Sequence, residues 1–374
     1  MALRDERLLP AQAPSEHTVT ARRPRKRYFT ADEARRLFSA TLRTRNRNLR
    51  QLATDEAQLA RYGLPVWLTE AELAASLELK PTTLRHYSTH SAQDTCAHYV
   101  TFAVPKRSGG ERLIMAPKTR LKRLQRQLNA MLVSKLPVSE FAHGFLGGHS
   151  VRTNAEPHVG KAVILRLDIT DFFGTIHFGR VRGLLIAVGY GYSVASVLAA
   201  LMTEAVRQPV IVGETRFFPP IGPRVCPQGA PTSPGLSNAI VAKMDRRLAG
   251  LARRYGFAYT RYADDLTFSG NDIAGAHALR LLAARVVEEE GFKVNQRKTQ
   301  IRRNGSRQTV TGVVVNDVLG LSRQERRRLR AAIHRYVKAS AAGNGNPAQL
   351  ARLDGKVAYL SMLNAVQARR LAAR

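Results

Sequence analysis

The chain has 374 residues and 44% of them are hydrophobic, so it can bury a sizeable core in two or three subdomains. Its 59 Lys and Arg residues outnumber 28 Asp and Glu, which gives a net charge of +31 and favours nucleic acid as a partner over an anionic membrane surface. Cys96 and Cys226 are too few and too far apart to indicate a disulfide framework or a zinc site.

The N-terminal region is strongly basic. Residues 1–29 are rich in Arg, Pro and Ala, which predicts a flexible basic arm, and Thr30 to Glu33 resembles a helix capping box. No apolar run reaches transmembrane length and no apolar signal segment is present, so we expect a cytoplasmic protein with no membrane partner. Residues 69–90, opened by a capping box from Thr69 to Glu72, fit either a helix-turn-helix or two short packed helices.

Residues 99–118 predict a hairpin with a turn at Gly109 and Gly110. Lys106, Arg107 and Arg112 would converge at its tip and suit a triphosphate or a nucleic-acid backbone, although an ordinary basic hairpin has the same pattern.

An apolar run from Val163 ends at Asp168, which predicts a buried strand that delivers a carboxylate, or a helix N-cap at Asp168 or Thr170. Three nearby histidines read as local hydrogen-bonding residues rather than metal ligands: His143, His149 and His158.

Residues 180–205 predict one long apolar helical region, and residues 208–226 a hairpin and loop. In the Pro227–Pro234 segment that follows, Gly229 would let the backbone approach a ligand, and Gln228 offers an amide there.

Alternating residues on both sides of Asp264 and Asp265 predict a β-hairpin with these carboxylates at its tip. Beyond it, the pattern predicts a helix over 273–290, a turn and strand over 291–299, and a strand over 309–315. A third capping box at Ser322 opens a basic helix whose apolar stripe consists of Leu329, Ile333 and Val337.

If the strand ending at Asp168 pairs beside the hairpin, three carboxylates meet at one sheet edge and require cations. Hard Mg²⁺ prefers oxygen ligands, and two such ions about 3.5–4 Å apart stabilise the attacking and leaving oxygens of phosphoryl transfer. Asp168, Asp264 and Asp265, with Lys106 and Arg112 for a triphosphate, therefore predict nucleotidyl transfer on a nucleic acid.

The order of these blocks over residues 99–316 resembles a reverse transcriptase. The blocks are the Pro-Lys/Gly-Gly/Arg hairpin, Leu-Asp-Ile with Phe-Phe, Pro-Gln-Gly-Ala-Pro-Thr-Ser-Pro, Tyr-Ala-Asp-Asp, and Gly-Phe with Asn and Lys-Thr. Asn154-Ala155-Glu156-Pro157-His158 and Val310-Thr311-Gly312 resemble elements of the retron type. Cys226 departs from the Leu that often precedes Pro-Gln-Gly, and we expect only a packing effect.

The resemblance implies an α+β right-hand polymerase fold, with fingers, a palm of antiparallel sheet flanked by helices, and a helical thumb. The implied division is an arm over 1–29, N-terminal helices and fingers over 30–160, a palm over 161–317 with a fingers-side insertion around 180–226, and a thumb over 318–374.

The same resemblance implies the roles of individual residues. Asp168, Asp264 and Asp265 would bind two Mg²⁺, with the Ile169 carbonyl as a further contact. Phe173 resembles the steric gate against a ribose 2′-OH, and Lys298 a lysine near the pyrophosphate that is either a general acid or structural. Other dNTP contacts would come from Lys106, Arg112, Gln228 and Gly229, and RNA contacts from Asn154, His158, Val310, Thr311, Gly312, Arg326, Arg327 and Arg330.

A retron enzyme makes DNA from the 2′-OH of a guanosine in its own non-coding RNA, which yields a branched RNA–DNA molecule (msDNA). The family also implies anti-phage defence with a separate effector protein. One alternative is another bacterial reverse transcriptase, of the group II intron-like or the diversity-generating type. Against the intron-like type, we expect no room after the thumb for a maturase or endonuclease domain. The other alternative is a non-catalytic basic nucleic-acid-binding regulator. The intact aspartates argue against the regulator.

Overall fold

The computed structural model describes residues 52–89, 91, 93–106 and 109–372. The predicted basic arm over 1–29 and the capping box at Thr30 lie outside these residues. Across the described ranges, none of the helices combines the length and the apolar character needed to cross a membrane.

Three short helices open the described chain: α1 (Glu56–Arg61), α2 (Glu70–Ser76) and α3 (Pro81–Ser88). Thr69 caps α2 as predicted by accepting the Glu72 N–H, but the Glu72 carboxylate returns its bond to the N–H of Leu68. Leu73 and Leu84 are buried in the main core. Both α2 and α3 pack against a helix over Tyr192–Met202, so they are built into a larger domain.

The strands β1 (Tyr99–Pro105) and β2 (Glu111–Pro117) form the predicted antiparallel hairpin. Only its base is buried, through Tyr99, Met115 and Pro117, so the rest projects from the body. Helix α4 (Thr119–Met131) follows and buries an apolar stripe in the core, because Leu121, Leu124 and Leu128 recur at helical spacing.

A four-stranded antiparallel sheet forms the centre of the molecule, in the order β6-β7-β3-β8. Its strands are β3 (Val163–Asp168), β6 (Ala258–Tyr262), β7 (Asp265–Gly270) and β8 (Gln300–Arg303). Helices α9 (Ala242–Arg254) and α10 (Ile273–Glu289) pack on one face, where Leu165 and Leu167 are fully buried. The short helix α5 (Val151–Ala155) and a 3-10 turn over Glu156–His158 pack against the same sheet.

The apolar region over 180–205 is two helices rather than the predicted one: α6 (Phe178–Ala187) and α7 (Tyr192–Met202). The break lies at Gly189, whose φ of 120° favours glycine and whose added Cβ would lie 2.8 Å from the Asp55 carbonyl oxygen. The predicted hairpin is present as β4 (Val210–Val212) and β5 (Thr215–Phe217), and α8 (Ser233–Ile240) follows.

Two strand predictions in the second half of the chain are wrong. Residues 309–315 form a small hairpin, β9 (Thr309–Val310) and β10 (Val313–Val314), because Thr311 and Gly312 take left-handed φ values of 47° and 84°. The strand predicted over 291–299 begins only at Gln300. Of the two interpretations of residues 163–170, the strand is confirmed, because β3 ends at Asp168, and no helix begins at Asp168 or Thr170, since α6 starts at Phe178.

The C-terminal helices are α11 (Arg323–Ala341), α12 (Pro347–Leu363) and α13 (Ala365–Ala372). They share a small core of their own that includes Leu329, Leu353 and Leu360. The capping box at Ser322 is confirmed in both directions. The predicted stripe is shorter than expected, because Val337 is 54% exposed.

Candidate active site

The sheet brings the three predicted acids together at one edge. Asp168 is the last residue of β3 and pairs in register with Asp265, the first residue of β7. Asp264 lies in the turn just before, and its carbonyl oxygen accepts the Ile169 N–H at 2.9 Å. Long-range strand pairing therefore makes one site from two distant segments.

The turn that carries Asp264 is held from behind by a buried arginine. Tyr262 pairs with Asp265, so Ala263 and Asp264 form the turn, and Ala263 has a φ of 55°, which is uncommon for a residue other than glycine. The Arg261 guanidinium donates to the Ala263 carbonyl oxygen at 3.1 Å and forms an ion pair with Asp245 at 2.7 Å.

Arg261 and Asp245 are both 0% exposed, and they are functional candidates that the sequence analysis missed. Asp245 also accepts the Tyr259 hydroxyl, so its two oxygens serve three donor groups on β6. The sequence signal that could have identified them is a single charged residue on the apolar face of α9 and of β6. A charged side chain on such a face requires a buried partner of opposite charge.

The loop over 141–145 extends the sheet along β6. Arg261 donates its N–H to the Phe141 carbonyl oxygen and accepts the His143 N–H at its own, both at 2.8 Å. Asn238 donates its side-chain amide to the Gly144 carbonyl oxygen at 2.8 Å. Gly144 faces the catalytic turn directly, since an added Cβ would lie 2.8 Å from the Ala263 nitrogen.

If the three acids perform the nucleotidyl transfer that the sequence predicts, Gly144→Ala should reduce kcat by about 10- to 100-fold, because it displaces the turn that bears Asp264. Single-turnover primer extension at saturating nucleotide measures this. Gly147→Ala is the matched control, since its added Cβ meets no atom within 4 Å. Equal rates for the two variants would contradict a tight fit between this loop and the turn.

The positive charge beside the three acids does not offset the effect of burial on the Asp264 and Asp265 carboxylates. Burial, followed by the nearby Asp168 carboxylate, raises the pKa of Asp264. Burial also raises the pKa of Asp265, although the Arg166 guanidinium opposes the shift. Lys298 places its Nζ 2.9 and 3.1 Å from the two Asp168 oxygens, and Arg166 is paired with Asp265.

The donor chemistry fits a hard divalent cation. Three carboxylates converge, and two of them have raised pKa values that added positive charge would lower. Among the described residues, no group of three or more His, Cys, Asp or Glu side chains is arranged ready to hold a metal ion. The side chains of Lys298 and Arg166 contact the Asp168 and Asp265 carboxylates directly.

The residues predicted to hold a triphosphate lie at the hairpin tip. Arg112 is paired opposite Val104, so Lys106, two residues beyond Val104, points to the same face as Arg112. Both side chains are exposed, while Arg107 lies outside the described residues.

Phe173, the predicted steric gate, is half-buried on the chain just beyond Asp168. Its ring lies 6.3 Å from that of Phe145 and 5.4 Å from that of Phe172. Phe145 is 48% exposed with a φ of 62°, so a strained aromatic residue shares this wall of the site.

The loop of Gln228 and Gly229 is tied to the base of the hairpin. The Gln228 carbonyl oxygen accepts the Met115 N–H at 3.0 Å. Gly229 has a φ of 130°, and its added Cβ would lie 3.0 Å from the Met115 carbonyl oxygen. Close approach to strand β2 therefore explains this glycine without a ligand.

Three of the residues predicted to contact RNA have side chains that are buried in the protein. Asn154, His158 and Val310 are each 0% exposed, so their side chains offer RNA no surface. The His158 ring lies 2.7 Å from both the Thr260 and Ser269 hydroxyls, and burial lowers its pKa to about 3. His158 is thereby bonded to strands β6 and β7 of the central sheet. Asn154 contacts the small hairpin, where its side-chain amide donates to the Thr311 hydroxyl at 3.4 Å.

The remaining members of the set are accessible. Thr311 is half-buried, and Gly312 is exposed at the turn of the small hairpin. On α11, Arg326 is half-buried, while Arg327 and Arg330 are exposed.

Comparisons with known proteins identify the family of the chain. A family model for reverse transcriptase (RNA-dependent DNA polymerase) matches residues 104–325. The chain is 60% identical over 371 residues to the retron Mx65 reverse transcriptase of Myxococcus xanthus, covering 99% of this chain and 85% of that protein. It is 41% identical over 313 residues to the retron Mx162 reverse transcriptase of the same organism, covering 79% and 64% respectively.

A more distant relative is the retron Ec86 reverse transcriptase of Escherichia coli, which is 29% identical over 84% of this chain and 90% of its own. Among solved structures, a telomerase from Candida albicans aligns over 68% of this chain and 50% of its own, at 11% identity and a TM-score of 0.42. The mixed architecture of helices and sheet is the right-hand polymerase fold that the sequence predicts. The chain belongs to the reverse transcriptases, RNA-directed DNA polymerases, and within them to the retron type.

Proposed function

We propose that this reverse transcriptase copies its cognate retron RNA by nucleotidyl transfer with two Mg²⁺ ions, primed from the 2′-OH of a guanosine in that RNA, to give msDNA. The observation that supports the chemistry most directly is the convergence of Asp168, Asp264 and Asp265 at one sheet edge. The priming step rests on likeness to retron reverse transcriptases.

In this proposal the three carboxylates, with the Ile169 carbonyl as a further ligand, hold the metal ions. Bound Mg²⁺ stabilises the charge that develops on the attacking and leaving oxygens. Lys106 and Arg112 bind the triphosphate from the exposed hairpin tip, and Gln228 and Gly229 line the nascent base pair from the base of β2. Lys298, whose Nζ lies 2.9 Å from an Asp168 oxygen, would lie near the pyrophosphate as a general acid or a structural residue.

We also propose the division of the chain into fingers over 30–160, palm over 161–317 and thumb over 318–374. The separate small core of α11 to α13 supports an independent thumb. Arg327 and Arg330, exposed on α11, would contact an RNA stem-loop there, with Arg326 and the turn at Thr311 and Gly312 adding to the surface. A separate effector protein, a role in anti-phage defence and a cytoplasmic location stay predictions.

Co-expression with the RNA encoded directly upstream tests the priming proposal. Wild-type protein should yield a small single-stranded DNA that stays joined to RNA until a 2′,5′-debranching enzyme releases it. The Asp264→Ala/Asp265→Ala variant should yield none. DNA that is free of RNA before debranching would contradict 2′-OH priming while leaving polymerase activity established.

Phe173→Val is expected to raise the ratio of kcat/KM for ribonucleotides over deoxyribonucleotides by about 10- to 200-fold, because a smaller side chain admits the 2′-OH. The neighbouring variant Phe172→Leu is the control, since the Phe172 ring is buried and stacks on Phe292. Extension assays with single nucleotides measure both ratios, and an unchanged ratio for Phe173→Val would remove its role as the gate.

Binding to the cognate RNA is expected to weaken steeply with salt, since each neutralised phosphate adds about 0.7–0.9 to the slope of log Kd against log salt. A titration of fluorescent RNA from 50 to 300 mM KCl, roughly the range over which such slopes are resolved, measures this. A nearly flat line would contradict a phosphate-binding thumb.

A further inference from the structure

A cleft of about 990 Å³ lies between α3, the base of the β1–β2 hairpin and the start of α4. We call it the basic cleft and define it by His86, Tyr87, His98, Lys122, Arg123 and Arg126. Its volume is at the upper end of ordinary ligand sites. It lies at the opposite end of the hairpin from Lys106 and Arg112, about 20 Å away along seven-residue strands.

The charge lining the basic cleft has one sign. Thr119, Lys122, Arg123 and Arg126 follow the spacing that places residues on one face of α4, and Lys118 and Arg120 add two cations at its start. Among the residues that the structure describes, no acidic side chain lines the cleft, and none of these five cations forms an ion pair. A folded protein keeps such a concentration of charge where an anion binds.

The opposite wall is aromatic. The rings of His86, Tyr87 and His98 form a triangle with centroid distances of 4.8 to 5.2 Å. His86 is exposed and Tyr87 half-buried, so ring faces and edges remain available on the cleft side. Cations facing aromatic rings across a groove are the combination that binds a nucleic-acid strand, with phosphates on one side and bases on the other.

We propose that the basic cleft binds a single-stranded segment of RNA, with phosphates on α4 and a base against His86 and Tyr87. The strand is single because paired bases have no free face to offer the rings. An acidic protein segment would use the cations but leave the rings without a role. The chain's own N-terminal arm is itself strongly basic and would be repelled. The inference rests on the proposed function for its RNA substrate, but the cleft is separate from the catalytic edge.

Binding of a 12-nucleotide fluorescent single-stranded RNA to the full chain tests the proposal. Arg123→Ala/Arg126→Ala should raise Kd about tenfold and lower the slope of log Kd against log salt by about 1.4, at about 0.7 per phosphate contact on a single strand. His86→Ala should raise Kd for this RNA about fivefold but leave Kd for a 12-base-pair duplex unchanged, because only unpaired bases stack. Arg253→Ala/Arg254→Ala, two exposed arginines at the end of α9, is the charge-matched control.

Three results would overturn the proposal. The first is that Arg253→Ala/Arg254→Ala changes the Kd and the salt slope as much as Arg123→Ala/Arg126→Ala does, which would show that only the net charge matters. The second is equal loss of single-stranded and duplex binding in His86→Ala. The third is competition by polyglutamate as effective as that by unlabelled RNA at equal charge, which would indicate an acidic protein partner. A 4-thiouridine crosslink to the peptide containing His86 and Tyr87 would support it directly.

Different measurements test RNA binding in the basic cleft and the proposed polymerase function. Asp264→Asn should abolish DNA synthesis on poly(rA) primed with oligo(dT) while leaving RNA binding in the basic cleft intact. Absence of synthesis by the wild type would count against the proposed function alone, because the binding readout needs no catalysis.

Discussion

Asp264→Asn is expected to lower DNA synthesis by about 10³-fold or more, because an amide oxygen carries no charge with which to hold the metal ions. In the absence of metal, the same variant should be at least as stable as the wild type. Burial and the Asp168 carboxylate raise the pKa of Asp264, so the ionised carboxylate is less favourable in the folded chain than in the unfolded one.

The raised pKa of Asp264 determines how the stability of the protein changes with pH. A carboxyl group whose pKa is raised on folding destabilises the protein when ionised at neutral pH, and this effect disappears below its ordinary value of 3.8. The melting temperature of Asp264→Asn should therefore exceed that of the wild type at pH 7.5 in EDTA, and the gap should narrow as the pH falls. Added Mg²⁺ should raise the melting temperature of the wild type only.

Thermal melts with and without Mg²⁺, together with extension on poly(rA), measure both effects. Asp354→Asn on α12 is the control, since this exposed carboxylate lies outside the site. Near-normal synthesis by Asp264→Asn would contradict the assignment of the triad. A variant that melts lower than the wild type at every pH would show that the carboxylate is structural.

Local patterns were sufficient to predict the parts of this site. Period-2 alternation predicts β6 and β7 on the two sides of Asp264 and Asp265, and a continuous apolar run that ends at Asp168 predicts β3. Their pairing could only be assumed, because a strand pattern does not identify its partner. The strand register confirms the assumption, since β3 pairs with β7 and brings Asp168 opposite Asp265.

What the sequence could not predict depends on three-dimensional contact. The break at Gly189 is set by the distant Asp55 carbonyl, and a sequence pattern contains no such neighbour. The family resemblance implies RNA contacts for Asn154 and His158, yet both side chains are buried and bond to Thr311, Thr260 and Ser269 of the protein itself. A polar motif has the same appearance whether it binds RNA or a neighbouring strand.

Breaking the buried ion pair of Asp245 and Arg261, behind the turn that carries Asp264, should destabilise the protein. Asp245→Asn is expected to lower the free energy of unfolding by about 3–5 kcal/mol, because it leaves the Arg261 guanidinium buried without a counter-charge. Both side chains are 0% exposed, so water cannot compensate for the lost partner. The midpoint of urea unfolding, at unchanged slope, measures the loss.

A double variant separates stability from positioning. Asp245→Leu/Arg261→Met replaces the pair by apolar groups of similar size, which is often neutral for stability or better. Synthesis should nevertheless stay low, because Arg261 also donates to the Ala263 carbonyl oxygen and the Asn238 side chain, and methionine does neither. The left-handed Ala263 then loses the hydrogen bond that opposes its strain.

The control is Arg285→Gln, which removes an exposed ion pair with Glu289 on α10 and should leave unfolding and synthesis unchanged. If the double variant recovers both stability and synthesis, the pair only fills space. If it recovers stability alone, Arg261 sets the geometry of the turn that presents Asp264. We expect the second result, because the guanidinium contacts the turn directly while Asp245 reaches it only through Arg261.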